Sequence, residues 1–219
     1  MDCRLVLLGP PAAGKGTQAE LLREQFGFAT PSVGAMLREQ AAARTPVGLK
    51  AAEYFERGLL VPDEVSIEVV RQWFAGHNGP LAIDGYPRTV RQAEAFEVLL
   101  RERGLSVDFA LLIEADEPVI RERVARRLVC KGCGGVFRDG HAGAAIGGPC
   151  PRCGVAELTR RADDSPAALA DRLVEYRVKT APVIGYYEEQ GLLRRVDGNR
   201  DIESVFTDIA AILQNTAVK

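Results

Sequence analysis

Residues 9–17 read GPPAAGKGT and follow directly on RLVLL, a short apolar run of β character. Through Gly9, Gly14 and Lys15 the stretch satisfies G-x-x-x-x-G-K, the pattern of a phosphate-binding loop between a strand and a helix. Small residues let backbone N–H groups wrap phosphate oxygens, while the helix N-terminus and the lysine add positive potential. The strict pattern places Ser or Thr directly after the lysine to hold Mg²⁺. That place is Gly16, and the hydroxyl arrives one residue later at Thr17. A loop of this kind commits the chain to an α/β fold and to a nucleoside triphosphate as ligand.

Two further runs, LAID at 81–84 and FALLIE at 109–114, are apolar, compact and end in an acid, as buried parallel strands do. Between them lie helical periods. Residues 17–26 carry Ala19, Leu22 and Phe26 at spacings of three and four, and residues 89–103 carry Ala93, Phe96 and Leu100 in the same way. Ser165-Pro166 supplies an N-cap and a first-turn proline for a helix through Leu173 and Tyr176. Alternating strands and helices predict a doubly wound three-layer fold, whose ligands bind at the carboxyl ends of the strands. Two segments fit that core poorly and read as insertions over it. Residues 31–76 hold three helical stretches broken at 46–48 and 58–62, and residues 129–161 hold four cysteines.

The 219 residues suffice for one substantial core with a smaller excursion or two. A net charge of −2 argues against a generic nucleic-acid binder. No apolar run approaches the roughly 18 residues of a membrane span. MDCRLVLLGPP lacks the basic start of a signal peptide, so a cytoplasmic location is expected, where thiols stay reduced. The cysteine segment, CKGCGGVFRDGHAGAAIGGPCPRC, then favours metal over disulfides. Two C-x-x-C pairs split by 16 residues have the spacing of a four-cysteine zinc site. Cys130, Cys133, Cys150 and Cys153 would fill all four tetrahedral positions, leaving none for substrate, so the expected Zn²⁺ is structural.

Where LAID ends, DGYPRT places Asp84 to hold Mg²⁺ or its water and Arg88 to bind a phosphate. In ERVARRLV, residues 122–129, Arg123 and Arg127 are expected one helical turn apart on one stripe. Arg38, Arg161 and Arg172 complete an arginine set that outnumbers its acids. Phosphoryl transfer relies on positioning and cationic charge more than on covalent chemistry by side chains. The two histidines, His77 and His141, sit in Gly-rich loops and are expected to be solvated.

The chain resembles the adenylate kinases, nucleoside-monophosphate kinases that convert ATP and AMP into two ADP. The resemblance rests on GPPAAGKGTQAE, SVGAMLR, LVPDE, DGYPRTVRQAE, ERVARRLVC, LTRRADD, RLVEYRVKTAPVIGYY and VDGNRDI, which span nearly the whole length. It implies a core of residues 1–31, 62–128 and 162–219, an AMP-binding flap of 32–61 and a closing lid of 129–161. It also implies ATP contacts at Ala12, Ala13, Gly14, Lys15, Gly16, Thr17, Arg127, Val136, Phe137 and Arg200. The implied AMP contacts are Val33, Arg38, Leu59, Leu60, Val61, Gly85, Tyr86, Pro87, Arg88, Gln92, Arg161 and Arg172. Lys15, Arg88, Arg123, Arg127, Arg161 and Arg172 would carry the catalysis, with Mg²⁺ on the ATP. The chain departs from the family where Val33 replaces a usual Thr, Ala12 a usual Gly, and FRDGHAGAAIGG the usual lid stretch. The implied protein is a monomer acting on ATP and AMP, with no nucleic-acid or membrane partner. The alternatives are a UMP, CMP or GMP kinase of the same architecture, or a non-enzymatic zinc-ribbon protein that binds nucleic acid.

Overall fold

A computed structural model describes residues 3–56 and 59–216. The expected chain break at 58–62 is therefore described from Leu59 onward, Gly58 lying outside the described residues. The first half runs β1 (Arg4–Leu8), α1 (Lys15–Phe26), α2 (Val33–Ala42), α3 (Pro46–Glu56), α4 (Asp63–Ala75), β2 (Leu81–Asp84) and α5 (Val90–Arg101). Next come β3 (Phe109–Glu114), α6 (Glu117–Ala125), β4 (Arg127–Cys130), β5 (Val136–Arg138) and β6 (Leu158–Thr159). The chain closes with α7 (Pro166–Glu175), a π-helical stretch (Tyr176–Thr180), α8 (Ala181–Glu189), β7 (Leu193–Asp197) and α9 (Ile202–Thr216).

Strands β2, β1, β3 and β7 form, in that order, one parallel sheet. Its two faces follow from the period of two along each strand. Val6 and Leu8 of β1, Leu81 and Ile83 of β2, and Ala110 and Leu112 of β3 enter one buried cluster with α2, α4, α5 and α8. Leu5, Leu7, Ala82, Phe109, Leu111 and Ile113 enter the opposite cluster, with Leu22 of α1 and Ile209 and Leu213 of α9. This is the expected three-layer α/β core. Ala29 and Ser32 make parallel bridges to Leu81 and Asp84, laying residues 29–32 along the free side of β2. Because all four strands are parallel, their carboxyl ends share one edge, and β1 and β3 leave it on either side of a switch in strand order.

A second, antiparallel sheet of order β5-β4-β6 carries the cysteine segment. Its small core consists of Leu128, Cys130, Ala144, Cys150 and Leu158, with Phe137 packed against it. This overturns one expectation. Arg123 lies on α6, but that helix ends at Ala125, and Arg127 opens β4, so the two arginines share no helical stripe. Arg126 leaves the helix at φ −106°, ψ 2°. From there the alternating burial of Arg127, Leu128, Val129 and Cys130 suits a strand paired on both sides. Among the described residues no helix is long and apolar enough to cross a membrane.

Candidate active site

The phosphate loop leaves β1 at Leu8 and enters α1 at Lys15, with Gly14 at φ 110° turning the chain into the helix. Its hollow is drawn together by Lys15, whose Nζ donates to the carbonyls of Gly9 and Pro10 at 2.7 and 2.8 Å. Lys15 is partly accessible to solvent yet ringed by protein. Burial of the ammonium lowers its pKa to about 8; Asp84 opposes the shift, while Arg88, Arg172 and Arg127 reinforce it. Asp84, at the end of β2, faces the start of α1: a Cβ built on Gly16 would lie 3.7 Å from its Oδ2.

Around this loop the structure gathers cations from separate segments. Arg88 comes from the turn after β2, and its Nε donates to the Gly85 carbonyl at 2.9 Å. Arg38 comes from α2, Arg127 from β4, Arg161 from the strand-to-helix link and Arg172 from α7. They act on one another electrostatically. Desolvation by surrounding protein lowers the pKa of Arg38, Arg88 and Arg172 and takes Arg161 down to about 10, though Arg38 and Arg88 keep an exposed surface, and neighbouring guanidinium charges add to each shift. The opposing carboxylates are Asp84, Asp163 and Asp164. Asp164, with a side chain only 3% exposed, takes a two-point contact from Arg127 and lies 3.5 Å from Arg172. Asp163 holds Arg172 at 3.1 Å. The guanidinium groups of Arg38 and Arg161 have no hydrogen-bonded or ion-paired partner among the described residues, although that of Arg38 lies 6.0 Å from the Phe55 ring centroid. Cations left without acids in this way suit a polyanionic ligand.

Four expected residues stand apart from this group. Arg123 donates to the carbonyls of Ala13, Gly198 and Arg200 at 3.1, 2.7 and 3.3 Å. It thereby ties the phosphate loop to the turn after β7. The Arg200 guanidinium pairs with Asp208, so its backbone, not its side chain, meets Arg123. Val136 and Phe137 lie in β5; Val136 is exposed, and Phe137 sits beneath the Arg152 guanidinium, 5.7 Å from its ring centroid. Arg152 reaches Glu20 on α1 at 2.6 Å, which joins the cysteine segment to the helix of the phosphate loop.

The residues expected to meet a monophosphate come from the start of α2, from 59–61 before α4, and from the turn after β2 with the start of α5. Val33, first in α2, is buried beneath the Ser32 cap, and Val61 is buried just before α4. Leu59 and Leu60 are half-buried, the Leu59 amide donating to Tyr54 at 2.9 Å. Tyr86 and Pro87 are buried, and the Tyr86 hydroxyl donates to the Gln92 carbonyl at 3.0 Å. Gln92 is only 2% exposed. Its side chain accepts from the Arg88 amide at 2.8 Å and donates to Asp63 at 2.7 Å. Asp63, Asp163 and Asp164 were not expected as site residues. For the last two the signal lay in LTRRADD, where two acids follow the arginines. For Asp63 it lay in LVPDE, one of the stretches that carry the resemblance.

The four cysteines pass a test of fit for zinc. Their sulfurs all lie within 4.8 Å of one another, with Cys130···Cys153 at 3.6 Å and Cys133···Cys150 at 3.7 Å. Tetrahedral Zn–S bonds of about 2.3 Å put sulfurs roughly 3.8 Å apart, whereas a disulfide would need about 2.05 Å. Amides of Gly132 and Cys133 point at the Cys130 sulfur, and that of Arg152 at Cys150. N–H groups of Val155 and Ala156 lower the Cys153 pKa to about 6 and favour that thiolate, whereas desolvation and the neighbouring sulfurs raise that of Cys133. Gly134 and Gly154 follow the two pairs at φ 69° and 70°, each closing a turn that a side chain would strain.

A phosphate loop at the carboxyl edge of a parallel sheet, with converging arginines, defines a P-loop protein of the phosphoryl-transfer class. The particular family follows from comparison. Residues 7–192 match the family model described as adenylate kinase. A curated adenylate kinase of Geobacillus sp. (strain WCH70) is 43% identical over 211 residues, covering 95% of this chain and 97% of the relative. Adenylate kinases of Novosphingobium aromaticivorans and Rhizorhabdus wittichii are 44% and 42% identical, over 95% and 96% of this chain and 98% and 99% of their own lengths. The chain belongs to the adenylate kinase family.

Proposed function

We propose that the chain reversibly transfers the γ-phosphoryl group of ATP to AMP, giving two ADP. The observation that carries this reading is the convergence of Lys15 with Arg38, Arg88, Arg127, Arg161 and Arg172, drawn from five separate segments. One triphosphate would not need so many cations; two phosphorylated substrates meeting end to end would. ATP phosphates occupy residues 12–17 under Lys15, held from outside by Arg127 and with Arg123 bracing the loop. AMP lies between Arg38, residues 59–61, residues 85–88 and Gln92. A phosphate oxygen of AMP attacks Pγ, the bond from Pγ to the β-bridging oxygen breaks, and that oxygen leaves on ADP with the bonding pair. Arg88, Arg127, Arg161 and Arg172 stabilise charge on the moving group, which is worth roughly 10³–10⁵ in rate for a well-placed arginine.

Asp84 is placed to hold Mg²⁺ or its water, and the ion would neutralise the β- and γ-oxygens. Residues 32–61 act as a flap over AMP, and residues 129–161 as a lid that shuts water away from ATP. The lid's zinc is structural. Val33 puts a methyl where a hydroxyl could anchor the acceptor base, so AMP binds a few-fold to tenfold more weakly than with Thr, about the worth of one hydrogen bond.

The test is ADP formation from MgATP with AMP, GMP, CMP and UMP in turn. AMP should be the preferred acceptor, and Lys15→Met should remove most of the rate while circular dichroism stays native. Full activity in Lys15→Met, or faster turnover of UMP or CMP, refutes the assignment.

A further inference from the structure

Gln92 and Asp63 raise a question that phosphate binding does not answer. A nearly fully buried glutamine amide and a carboxylate sit beside Arg88, yet neither meets a phosphate-binding cation through its side chain. Their hydrogen bonds form a directed chain. The Arg88 amide donates to Gln92 Oε1 at 2.8 Å, and Gln92 Nε2 donates to Asp63 Oδ1 at 2.7 Å. Asp63 Oδ2 accepts from the Thr89 hydroxyl at 2.9 Å, and the same Thr89 oxygen accepts from the Gln92 amide at 3.2 Å as the cap of α5. Each donor atom in the chain has an acceptor, and the direction is set at both ends, since the Arg88 backbone N–H can only donate to Gln92 Oε1. A carboxylate accepts and cannot donate, so Asp63 fixes which end of the Gln92 amide is nitrogen. That in turn leaves Oε1 facing the Arg88 amide.

We propose that Asp63 is a positioning residue for phosphoryl transfer, acting on Arg88 through the Gln92 amide. The inference rests on the proposed role of Arg88. Without an acceptor at 63 the buried Gln92 N–H₂ is left unpaired, the side chain must shift to find another acceptor, and the Arg88 amide loses the oxygen that anchors the turn of residues 85–88. Arg88 Nε would then keep only the Gly85 carbonyl, which lies on the same turn and moves with it. Asp63 is also the first residue of α4, directly after residues 59–61, where the proposed flap ends. A closing flap and the placement of Arg88 therefore meet at this carboxylate.

Steady-state kinetics on three variants test the proposal. Asp63→Leu removes both acceptors and should lower kcat about tenfold to a hundredfold, the cost of losing a charge-assisted hydrogen bond that orients a reacting group, with KM for ATP unchanged. Asp63→Asn also removes the charge but still offers one oxygen to Gln92 Nε2, so its kcat should stay within about threefold of the parent, a loss no larger than a neutral hydrogen bond costs. Gln92→Met cuts the chain one step later, and adding Asp63→Leu to it should lower kcat no further, as expected for residues that act as a unit. If Asp63→Leu does not fold, Asp63→Ala, which leaves room instead of a clash, carries the same comparison. Parent-like kcat in the folded Leu or Ala variant, or effects that multiply in the double variant, overturn the proposal. Arg88→Ala is the reference. If it keeps full kcat, both this proposal and the role given to Arg88 fail; if it loses the rate while Asp63→Leu does not, only this proposal fails.

Discussion

Lys15 provides the sharpest quantitative test, because its charge is held close to its limit. Burial brings its pKa down to about 8, so in the empty site it is about nine-tenths protonated at pH 7 and about one-tenth at pH 9. Phosphate oxygens favour the ammonium and must raise this pKa on binding. The sign follows: a group whose pKa rises on binding takes up a proton, and affinity falls as pH climbs above the free-site value. Affinity for MgATP should therefore be flat from pH 6.5 to 7.5 and about tenfold weaker at pH 9 than at pH 7, a tenfold change per unit being the limit for one proton. Calorimetric titration at pH 8 in buffers of different ionisation enthalpy should show about half a proton taken up per nucleotide bound. Lys15→Arg keeps its charge throughout and should abolish both effects. Affinity that stays level between pH 7 and 9 with no proton uptake would refute the burial argument, and with it the view that the loop desolvates its own lysine.

Two more outcomes follow from local geometry. Elemental analysis should find one zinc per chain; chelation or Cys150→Ser should lower thermal stability while turnover, measured well below the new melting temperature, largely survives, and loss of turnover with the segment still folded would make the metal catalytic. Ala12 holds φ 59°, a left-handed backbone costing a residue with a Cβ roughly 1–2 kcal/mol. Ala12→Gly gives back about 0.5–1 kcal/mol of that in chain entropy, so a net rise of a few degrees at most in Tm is expected, and a fall would show that the Ala12 methyl packs productively.

What could be read in the sequence was whatever the chain keeps local. β1, β2 and β3 are buried on both faces, so composition alone marks them, and the glycines and lysine of the loop lie within one turn. β7 reads LRRVD with mostly exposed side chains, and only its pairing with β3 makes it a strand. Arg127 looked helical because it follows Arg123 by four residues, and the strand at Arg127 is imposed by partners at 136–138 and 158–159. The arginines could be named as a set, but not their separate tasks. Arg123 finds its carbonyls 110, 75 and 77 residues away, and Asp63 finds Thr89 and Gln92 at separations of 26 and 29. The cysteine quartet was visible in its spacing, while the strands that frame it, two to four residues long among glycines, were not.

The charges of the cleft bind these pieces into one device. Six cations face three carboxylates there, and each guanidinium that burial desolvates is less content in the empty protein than in water. Asp164 relieves part of this by bridging Arg127 of the second sheet and Arg172 of α7, so a carboxylate stands where a phosphate can compete for the same guanidinium groups. Arg38 and Arg161 have no such substitute. They come from separate segments, one on α2 and one beyond β6, and the charge of Arg38 helps to lower the pKa of Arg161. A ligand carrying several negative charges reverses that repulsion, and under the proposed function its binding energy falls on the segments proposed as flap and lid. The Arg152–Glu20 contact gives the second sheet a foothold on α1 before any ligand arrives. An exposed pair of this kind contributes about 0–1 kcal/mol. A contact of that size cannot by itself lock the second sheet onto α1, so in the proposed mechanism closure of the lid is left to the phosphates.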